Sequence, residues 1–231
     1  MVESEFSKLV TRVRFPSPAP KVPMKNKIAS FLHRFGVSPN QLTFLGLALA
    51  ALSGWLIFQN YLFWASAALL ASGLVDMLDG AVARVSGKQS IFGGILDSTL
   101  DRYGDGFVFA GLLFHFGEAG RYDLAGLALS AWLGAFAVSY VRARGECERV
   151  SCRVGFWERG ERIGVLVLAL AVDNVGTAAW LLGLATHWTV FQRLRAAATR
   201  AVPAKSPSRN DRAYFIKIAL LAVALIFVRI P

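Results

Sequence analysis

Long apolar runs without charged residues are the feature that most constrains this chain. They recur at roughly 41–60, 62–75, 106–117, 124–141, 163–192 and 213–228. A helix needs about 20 apolar residues to cross the hydrocarbon core of a bilayer. The composition agrees, because 55% of the residues are hydrophobic and only 17% are charged, which exceeds the apolar share of a soluble domain. The sequence therefore predicts an all-α, polytopic membrane protein and excludes a disordered chain, a collagen and an ordinary soluble globule.

The positive charges are distributed unevenly between the two sides of this predicted membrane domain. The chain has 25 Lys and Arg and a formal net charge of +10. If the N-terminus is cytoplasmic and the runs alternate in direction, all of these residues except Arg121 and Arg229 fall on, or at the membrane edge of, one side. This asymmetry follows the positive-inside rule, and such a basic face contacts anionic headgroups. We therefore expect a multi-pass protein of the cell (inner) membrane, with membrane lipids and no nucleic acid among its partners.

The chain before the first apolar run divides into two pieces. Residues 1–23 are polar and proline-rich and lack the apolar core of a signal peptide. They are predicted to be a disordered tail, or sequence upstream of a true start at Met24. From Met24, apolar side chains repeat at helical spacing between basic ones, which predicts an interfacial amphipathic helix over 24–37.

The membrane domain is predicted to cover 38–200, because Ser38-Pro39-Asn40 is typical of a helix start. The first four spans are expected at 38–60, 62–84, 93–116 and 123–141. A basic loop, Arg142–Arg162, follows, and a break at Asp173-Asn174 divides the run 163–192 into two short spans. A polar linker and an additional hydrophobic helix then make up 201–231, which gives seven spans in all.

Five aspartates lie inside the predicted spans, where an acidic side chain costs about 2.5–3.5 kcal/mol. Asp76 and Asp79 share one face of the second span, and Asp97, Asp101 and Asp105 form a stripe on the third. Because only a short cytoplasmic hairpin joins the two spans, we expect the acidic faces to meet.

The charge of these carboxylates has to be compensated in a medium of low dielectric constant. The nearby cations Arg84, Lys88 and Arg102 are too few and lie mostly at the membrane edge. Hard divalent cations, Mg²⁺ or Mn²⁺, match an all-carboxylate site, and two such metals can clamp phosphate oxygens. Gly80 and Gly93 leave backbone open to a bulky diphosphate, although close helix packing explains such glycines equally well.

The spacing of these residues resembles the signature of the CDP-alcohol phosphotransferase family. It reads Asp76-x2-Asp79-Gly80-x2-Ala83-Arg84-x8-Gly93-x3-Asp97-x3-Asp101, eight fixed positions within 26 residues. The resemblance covers roughly 25–200. It implies a membrane enzyme of six helices, usually a homodimer, which transfers a phosphate-bearing group from a CDP-linked lipid donor to an alcohol and releases CMP. A seventh span departs from this pattern.

The resemblance also implies roles for the residues of the signature. The ligands of two Mg²⁺ or Mn²⁺ ions would be Asp76, Asp79, Asp97 and Asp101. Asp101 would also be the catalytic base that takes the proton of the acceptor hydroxyl. The CDP-lipid would be bound by Gly80, Ala83, Arg84 and Gly93. Asp105 lies outside the signature and is predicted either to support the site or to bond to a neighbouring span, and Pro39-Asn40-x2-Thr43 resembles the family's entry to the first span.

Basic segments outside the signature indicate which alcohol accepts the group. Ser139–Arg144, Glu158–Arg162 and Gln192–Leu194 resemble segments of the phosphatidylinositol phosphate and archaetidylinositol phosphate synthases of the same family. In those enzymes the acceptor is inositol 1-phosphate. The resemblance implies that the acceptor phosphate is bound by Arg142, Arg144, Arg162 and Arg193. Arginine suits this role because its fork binds phosphate through two parallel hydrogen bonds.

Three other functions remain open. A phosphotransferase of the same family with another acceptor, such as glycerol 3-phosphate, would use a basic phosphate pocket equally well. Aspartate-rich prenyltransferases also use Mg²⁺ on a diphosphate, but they space their aspartates differently. Intramembrane carboxylates also mark ion-coupled transporters, which place them at the membrane midplane on broken helices.

Overall fold

The computed structural model describes residues 23–148, 150, 152 and 154–199 of the 231-residue chain. Within this part the protein is all-helical, as predicted, and seven helices follow one another. They are α1 (Pro23–Arg34), α2 (Pro39–Phe58), α3 (Leu62–Val85), α4 (Ile91–Glu118), α5 (Tyr122–Cys147), α6 (Arg159–Ala171) and α7 (Val175–Ala198). The predicted segment 201–231 and residues 1–22 of the predicted tail lie outside the described residues.

Local sequence explains where two helices of the candidate site begin. The Ser38 hydroxyl accepts a hydrogen bond from the Gln41 N–H (3.3 Å), and the Ser38 N–H donates to Gln41 Oε1 (2.9 Å), which completes a capping box for α2. Ser90 caps α4 by accepting from the Gly93 N–H at 2.9 Å. Between α3 and α4, Gly87 adopts a φ of 66°, a left-handed conformation that glycine tolerates best. The short turn sets the end of α3 beside the start of α4.

The loop predicted at Arg142–Arg162 is shorter in the structure, which corrects the sequence analysis. Helix α5 continues to Cys147 and α6 begins at Arg159, so both ends of the predicted loop are helical. Ion pairs between residues four apart stabilise a helix. At the end of α5 such pairs join Arg142 to Glu146 and Arg144 to Glu148.

Three helices of the described part, α2, α3 and α5, are long and apolar enough to cross a membrane. Helix α6 has only 13 residues, about 20 Å at 1.5 Å per residue. The break between α6 and α7 lies at the predicted position, and Asp173 there has a positive φ of 54°. The count of six spans plus one therefore stays a prediction, as does the interfacial, amphipathic character of α1.

Small residues let the backbones of α2 and α4 touch. A side chain at Gly54 would overlap the carbonyl of Phe107, and one at Gly111 would overlap the backbone of Gly54. Ile57 and Leu112 are fully buried in the same core. Close approach of this kind is typical of helices packed through small residues. It fixes the register of α4 against α2 and therefore the position of the aspartates along the bundle.

Helix α6 packs against α3 and brings its first residue to the acidic part of the bundle. The Ser66 hydroxyl of α3 donates to the Val167 carbonyl of α6 at 2.9 Å. Val165, Leu166 and Ala169 of α6 are buried in the same core as α3. The start of α6 is thereby held beside the aspartates of α3 and α4.

Candidate active site

The four aspartates of the signature meet between the second half of α3 and the first half of α4. The Asp97 carboxyl group interacts electrostatically with those of Asp76 and Asp79. Asp79 is buried, and its Oδ2 accepts a hydrogen bond from the Thr43 hydroxyl of α2 at 3.0 Å. The predicted meeting of the two acidic faces is therefore present, and Thr43 joins a third helix to it.

Arg159, the first residue of α6, lies among these carboxylates. Its Nη1 contacts Asp76 Oδ2 and Asp101 Oδ1, the latter at 2.8 Å, and its Nε donates to Asp105 Oδ1 at 3.3 Å. The Arg159 side chain is 23% exposed, and the three aspartate side chains are 14–16% exposed. One guanidinium thus compensates carboxylates from two helices in a largely desolvated place.

Arg159 was not predicted as a counter-ion. Of the three cations that were predicted, Arg84 and Lys88 are exposed, and Arg102 contacts Asp101 Oδ2 at 3.4 Å. A signal was present, because Arg159 precedes Arg162 by three residues and both therefore lie on one face of α6.

Asp105 joins the aspartate group to the buried Arg162. Its Oδ2 accepts from Arg162 Nη2 at 3.3 Å, while its Oδ1 accepts from Arg159. Arg162 is 3% exposed and also donates from Nη1 to the Trp157 carbonyl at 3.0 Å. Asp105 therefore bonds to a neighbouring helix, which confirms that alternative, and it also contacts the guanidinium inside the site, while its support of the site stays a prediction.

Two glycines make room for these side chains. A Cβ at Gly46 would lie 2.5 Å from Asp76 Oδ1, and a Cβ at Gly104 would lie 3.3 Å from the Ala50 Cβ and 3.9 Å from Arg159 Nη2. A cavity of about 10 Å³ remains between these residues, roughly the space of one water molecule. The aspartates and Arg159 are therefore tightly enclosed where they face α2.

The residues predicted to bind the CDP-lipid lie within about one helical turn of Asp79 or Asp97. They are Gly80, Ala83, Arg84 and Gly93. A side chain at Gly80 would contact only the Arg84 guanidinium, at 3.5 Å. The surface beside Gly80 is open, which suits a bulky ligand, and the roles of these four residues stay predictions.

The four arginines predicted to bind the acceptor phosphate fall into two pairs. The more accessible pair, half-buried Arg142 and exposed Arg144, lies at the end of α5 in ion pairs with glutamates. The buried pair consists of Arg162, bonded to Asp105, and Arg193, which is 2% exposed. Arg193 donates to the carbonyls of Val154 (2.9 Å) and Val138 (2.8 Å). The structure brings Arg162 to the aspartates and makes Arg193 an anchor for the segment between α5 and α6.

The ligand chemistry of the aspartate group suits a hard divalent cation. Its oxygen donors are carboxylates with the Thr43 hydroxyl beside them, the ligand type that Mg²⁺ and Mn²⁺ prefer. Among the described residues, however, no three acidic, His or Cys side chains are arranged as metal ligands. Arg159 contacts both Asp76 and Asp101 instead. The aspartate carboxylates are therefore the right kind of ligand for a divalent metal, while the Arg159 guanidinium determines where Asp76 and Asp101 lie in this structure.

Comparison with known proteins places the chain in a family. Residues 36–190 match the model of the CDP-alcohol phosphatidyltransferases. The phosphatidylinositol phosphate synthase of Mycobacteroides abscessus is 38% identical over 185 residues, which cover 75% of this chain and 83% of the relative. The archaetidylinositol phosphate synthase of Pyrococcus horikoshii is 34% identical over 184 residues, which cover 79% of this chain and 95% of the relative.

Solved structures agree with these relatives. The crystal structure of Mycobacterium tuberculosis phosphatidylinositol phosphate synthase with CDP-DAG bound matches with a TM-score of 0.71 and 32% identity, covering 76% of this chain and 94% of that one. The same protein in complex with manganese and citrate matches with a TM-score of 0.72 and 31% identity, covering 81% and 97%. The signature, the fold and the extent of these matches lead to one conclusion: the chain belongs to the CDP-alcohol phosphotransferase family of membrane transferases.

Proposed function

We propose that this protein transfers the phosphatidyl-type group of a CDP-linked lipid to inositol 1-phosphate and releases CMP in phospholipid biosynthesis. Relatives named phosphatidylinositol phosphate and archaetidylinositol phosphate synthase support this acceptor. The observation that carries the proposal is the position of Arg162, which is buried and joined through Asp105 to the aspartate group. A cation fixed there adds positive potential beside the aspartate group, which favours an acceptor that carries a phosphate.

The proposed reaction is a displacement at phosphorus. The acceptor hydroxyl oxygen bonds to the phosphorus that carries the lipid, the bond from this phosphorus to the oxygen of CMP breaks, and the hydroxyl proton goes to Asp101. Asp101 is held by two arginines, Arg159 on Oδ1 at 2.8 Å and Arg102 on Oδ2 at 3.4 Å. A positioned carboxylate of this kind can act as a general base once one oxygen is free to accept the proton.

We assign Asp76, Asp79, Asp97 and Asp101 to a two-metal site for Mg²⁺ or Mn²⁺. Metal bound there would offset the charge of the diphosphate and polarise the phosphorus. The carboxylate donor set supports the assignment, and a structural relative is a manganese complex. Thr43 orients Asp79 from α2, and Gly80, Ala83, Arg84 and Gly93 are assigned to the CDP-lipid.

The proposed setting is a cell (inner) membrane with the site on its cytoplasmic side. Large apolar side chains are exposed along the apolar helices α2, α3 and α5, among them Phe44, Leu74 and Phe136. We propose residues 38–200 as the catalytic membrane domain, with 24–37 at its interface, and a homodimer as the working unit.

The experiment that tests this function is an acceptor comparison. The full chain, purified into lipid nanodiscs, receives radiolabelled CDP-diacylglycerol and Mg²⁺, and CMP release is measured with inositol 1-phosphate, glycerol 3-phosphate and free inositol. We expect release with inositol 1-phosphate and little with free inositol, because the arginines bind the phosphate. Faster release with glycerol 3-phosphate would assign that acceptor instead, and equal rates with free inositol would remove the arginines from acceptor binding.

The donor is varied in the same assay. An ether-linked CDP-lipid replaces CDP-diacylglycerol at equal concentration, and the ratio of the two rates identifies the preferred lipid. Because both donors carry the same cytidine diphosphate, a difference between them reports on the lipid part alone. Absence of CMP release with either donor and every acceptor would contradict the proposed reaction.

A further inference from the structure

Arg159 contacts the same carboxylates that the proposed metal site needs. Its Nη1 contacts Asp76 Oδ2 from α3 and Asp101 Oδ1 from α4. A hard divalent cation held by these two side chains would use the carboxylate oxygens that Arg159 contacts. A guanidinium and such a cation cannot both lie between Asp76 and Asp101, because they carry like charge and need the same space.

We propose that Arg159 is an exchangeable counter-ion of the metal site: its guanidinium holds Asp76 and Asp101 together until a divalent cation displaces it. The inference rests on the proposed metal site. Arg159 acts through the aspartates, so it is a positioning residue. Its bond from Nε to Asp105 Oδ1, at 3.3 Å, uses a carboxylate outside the proposed ligand set and can persist after the exchange.

The two arginines on Asp105 differ in their freedom to move. Arg162 is 3% exposed and tied to the Trp157 carbonyl as well as to Asp105, so it is fixed in the core. Arg159 is 23% exposed; it contacts Asp76 and Asp101 through Nη1 at the end of the side chain, and Asp105 through Nε. Gly104 lies beside the guanidinium and has no side chain, so only an added Cβ, at 3.9 Å from Nη2, would contact Arg159 there. The Arg159 Nε can therefore stay bonded to Asp105 while the Arg159 Nη1 moves away from Asp76 and Asp101.

The alternative is that Arg159 is a permanent brace that keeps the aspartates in position for metal. The two roles predict opposite changes in metal affinity when the guanidinium is removed. If Arg159 competes with the metal, its removal makes metal bind more tightly. If Arg159 is a brace, its removal lets the aspartates spread and makes metal bind more weakly. General damage to the fold also weakens binding, so tighter binding is a result that a merely structural role does not produce.

The test measures Mn²⁺ binding directly. The full chain in detergent is stripped of metal with a chelator, dialysed, and titrated with Mn²⁺ by calorimetry, for the wild type and Arg159→Gln. We expect the Mn²⁺ dissociation constant of Arg159→Gln to fall about tenfold, the size of one charge-assisted contact. Its melting temperature in chelator should fall too, and saturating Mn²⁺ should restore it to the wild-type value.

Arg102→Gln is the charge-matched control. Arg102 also contacts Asp101, but it touches one carboxylate at 3.4 Å and does not lie between two. Its loss should change the Mn²⁺ dissociation constant less than about threefold. Arg102→Gln removes one nearby positive charge, but Arg159 still lies between Asp76 and Asp101. An equal tightening in Arg102→Gln and Arg159→Gln would attribute the effect to general charge and overturn the proposal.

Arg159→Lys keeps the test decisive if Arg159→Gln fails to fold without metal. An ammonium retains the charge but lacks the fork that reaches Asp105 and the other aspartates together, so its Mn²⁺ affinity should lie between wild type and the tenfold change. Unchanged or weaker Mn²⁺ binding in the folded variants overturns the counter-ion role while leaving the metal site intact. Absence of Mn²⁺ binding in the wild type, with turnover persisting in chelator, would overturn the metal site and this role together.

Discussion

The two ends of the helix bundle each carry contacts between arginine and aspartate, and the contacts differ in burial and in sequence separation. At one end Arg159 contacts three aspartates of α3 and α4, in side chains that are 14–23% exposed. At the other end Arg121 contacts Asp123, two residues away, and these side chains are 40% and 54% exposed. Water competes with an exposed pair, whereas a partly buried group that loses a partner is left with an uncompensated charge. We therefore expect charge to matter more to the structure at the end that carries Arg159.

The turns at the end that carries Arg121, called the far end below, are explained by local features of the chain. Asn60 and Gly120 adopt positive φ values of 63° and 68° in the turns that follow α2 and α4. Asparagine and glycine are residues that tolerate this conformation. The end that carries the aspartate group instead depends on Arg159, which lies 83 residues from Asp76 in the sequence. The comparison predicts that substitutions near the aspartates have large effects and that substitutions at the far turns have small ones.

Removal of divalent metal should have the largest effect, a complete loss of turnover. The proposed ligands are four carboxylates, and the diphosphate of the donor adds negative charge that the arginines alone do not offset. CMP release is measured in excess chelator and again after addition of Mg²⁺ or Mn²⁺, either of which should restore it. Full turnover in excess chelator would contradict the two-metal assignment.

Asp101→Asn should lower kcat by about 10²- to 10⁴-fold, the usual contribution of a general base. An amide keeps an oxygen that can contact metal or arginine but cannot take the hydroxyl proton. CDP-lipid binding, measured separately, should change much less than kcat. Asp123→Asn at the far end is the matched control and should keep the wild-type rate; a near-normal rate in Asp101→Asn would remove this residue from the role of base.

Arg162→Ala should raise the KM for inositol 1-phosphate about ten- to hundredfold, with the KM for the CDP-lipid nearly unchanged. Because Arg162 is buried against Asp105 and the Trp157 carbonyl, its loss should also lower the melting temperature. Arg193→Ala should raise the same KM, and it should also lower the melting temperature, because the buried Arg193 donates hydrogen bonds to two backbone carbonyl groups.

Arg144→Ala separates binding from stability in the same experiment. Arg144 is 63% exposed, so its loss should raise the acceptor KM without lowering the melting temperature. A rise in the KM for the CDP-lipid in any of these variants, with the acceptor KM unchanged, would assign the arginines to the donor.

Gly46→Ala should lower turnover by about ten- to hundredfold, a smaller effect that tests how tightly Asp76 is held. The new methyl group would displace the Asp76 carboxylate, and a misplacement of about 1 Å in an active site can cost a factor of 10². Gly126→Ala is the control near the far end, where an added Cβ meets nothing within 4 Å. Gly126→Ala should leave the rate unchanged; equal rates in both variants would show that Asp76 can shift freely.

Local spacing allowed the acidic half of the site to be predicted from the sequence. Asp76 and Asp79 lie three residues apart, Asp97 and Asp101 lie four apart, and a short hairpin joins the two helices, so their meeting needs no distant contact. The helix break at Asp173 was also predictable locally, because the polar pair Asp173-Asn174 interrupts an apolar run that is too long for one span.

The cationic half of the site could not be predicted in this way. Arg159 reaches the aspartates only because α6 packs on α3, through contacts such as Ser66 to Val167, and these depend on the tertiary fold. The predicted loop was too long for a related reason. The charges at the end of α5 suggested a loop, whereas pairs such as Arg144 with Glu148 are one helical turn apart and extend the helix.

Arg121→Gln should have the smallest effect, with no measurable change in melting temperature, Mn²⁺ binding or turnover. The pair that Arg121 forms with Asp123 is local and exposed, so water and salt replace its contact readily. Asp123 also lies in the first turn of α5, where its charge favours the helix without help from an arginine. Calorimetry and CMP release, run beside Arg159→Gln, measure the contrast directly. A fall in the Arg121→Gln melting temperature as large as that of Arg159→Gln would mean that the far end also depends on its charges, and burial would then not explain the difference between the two ends.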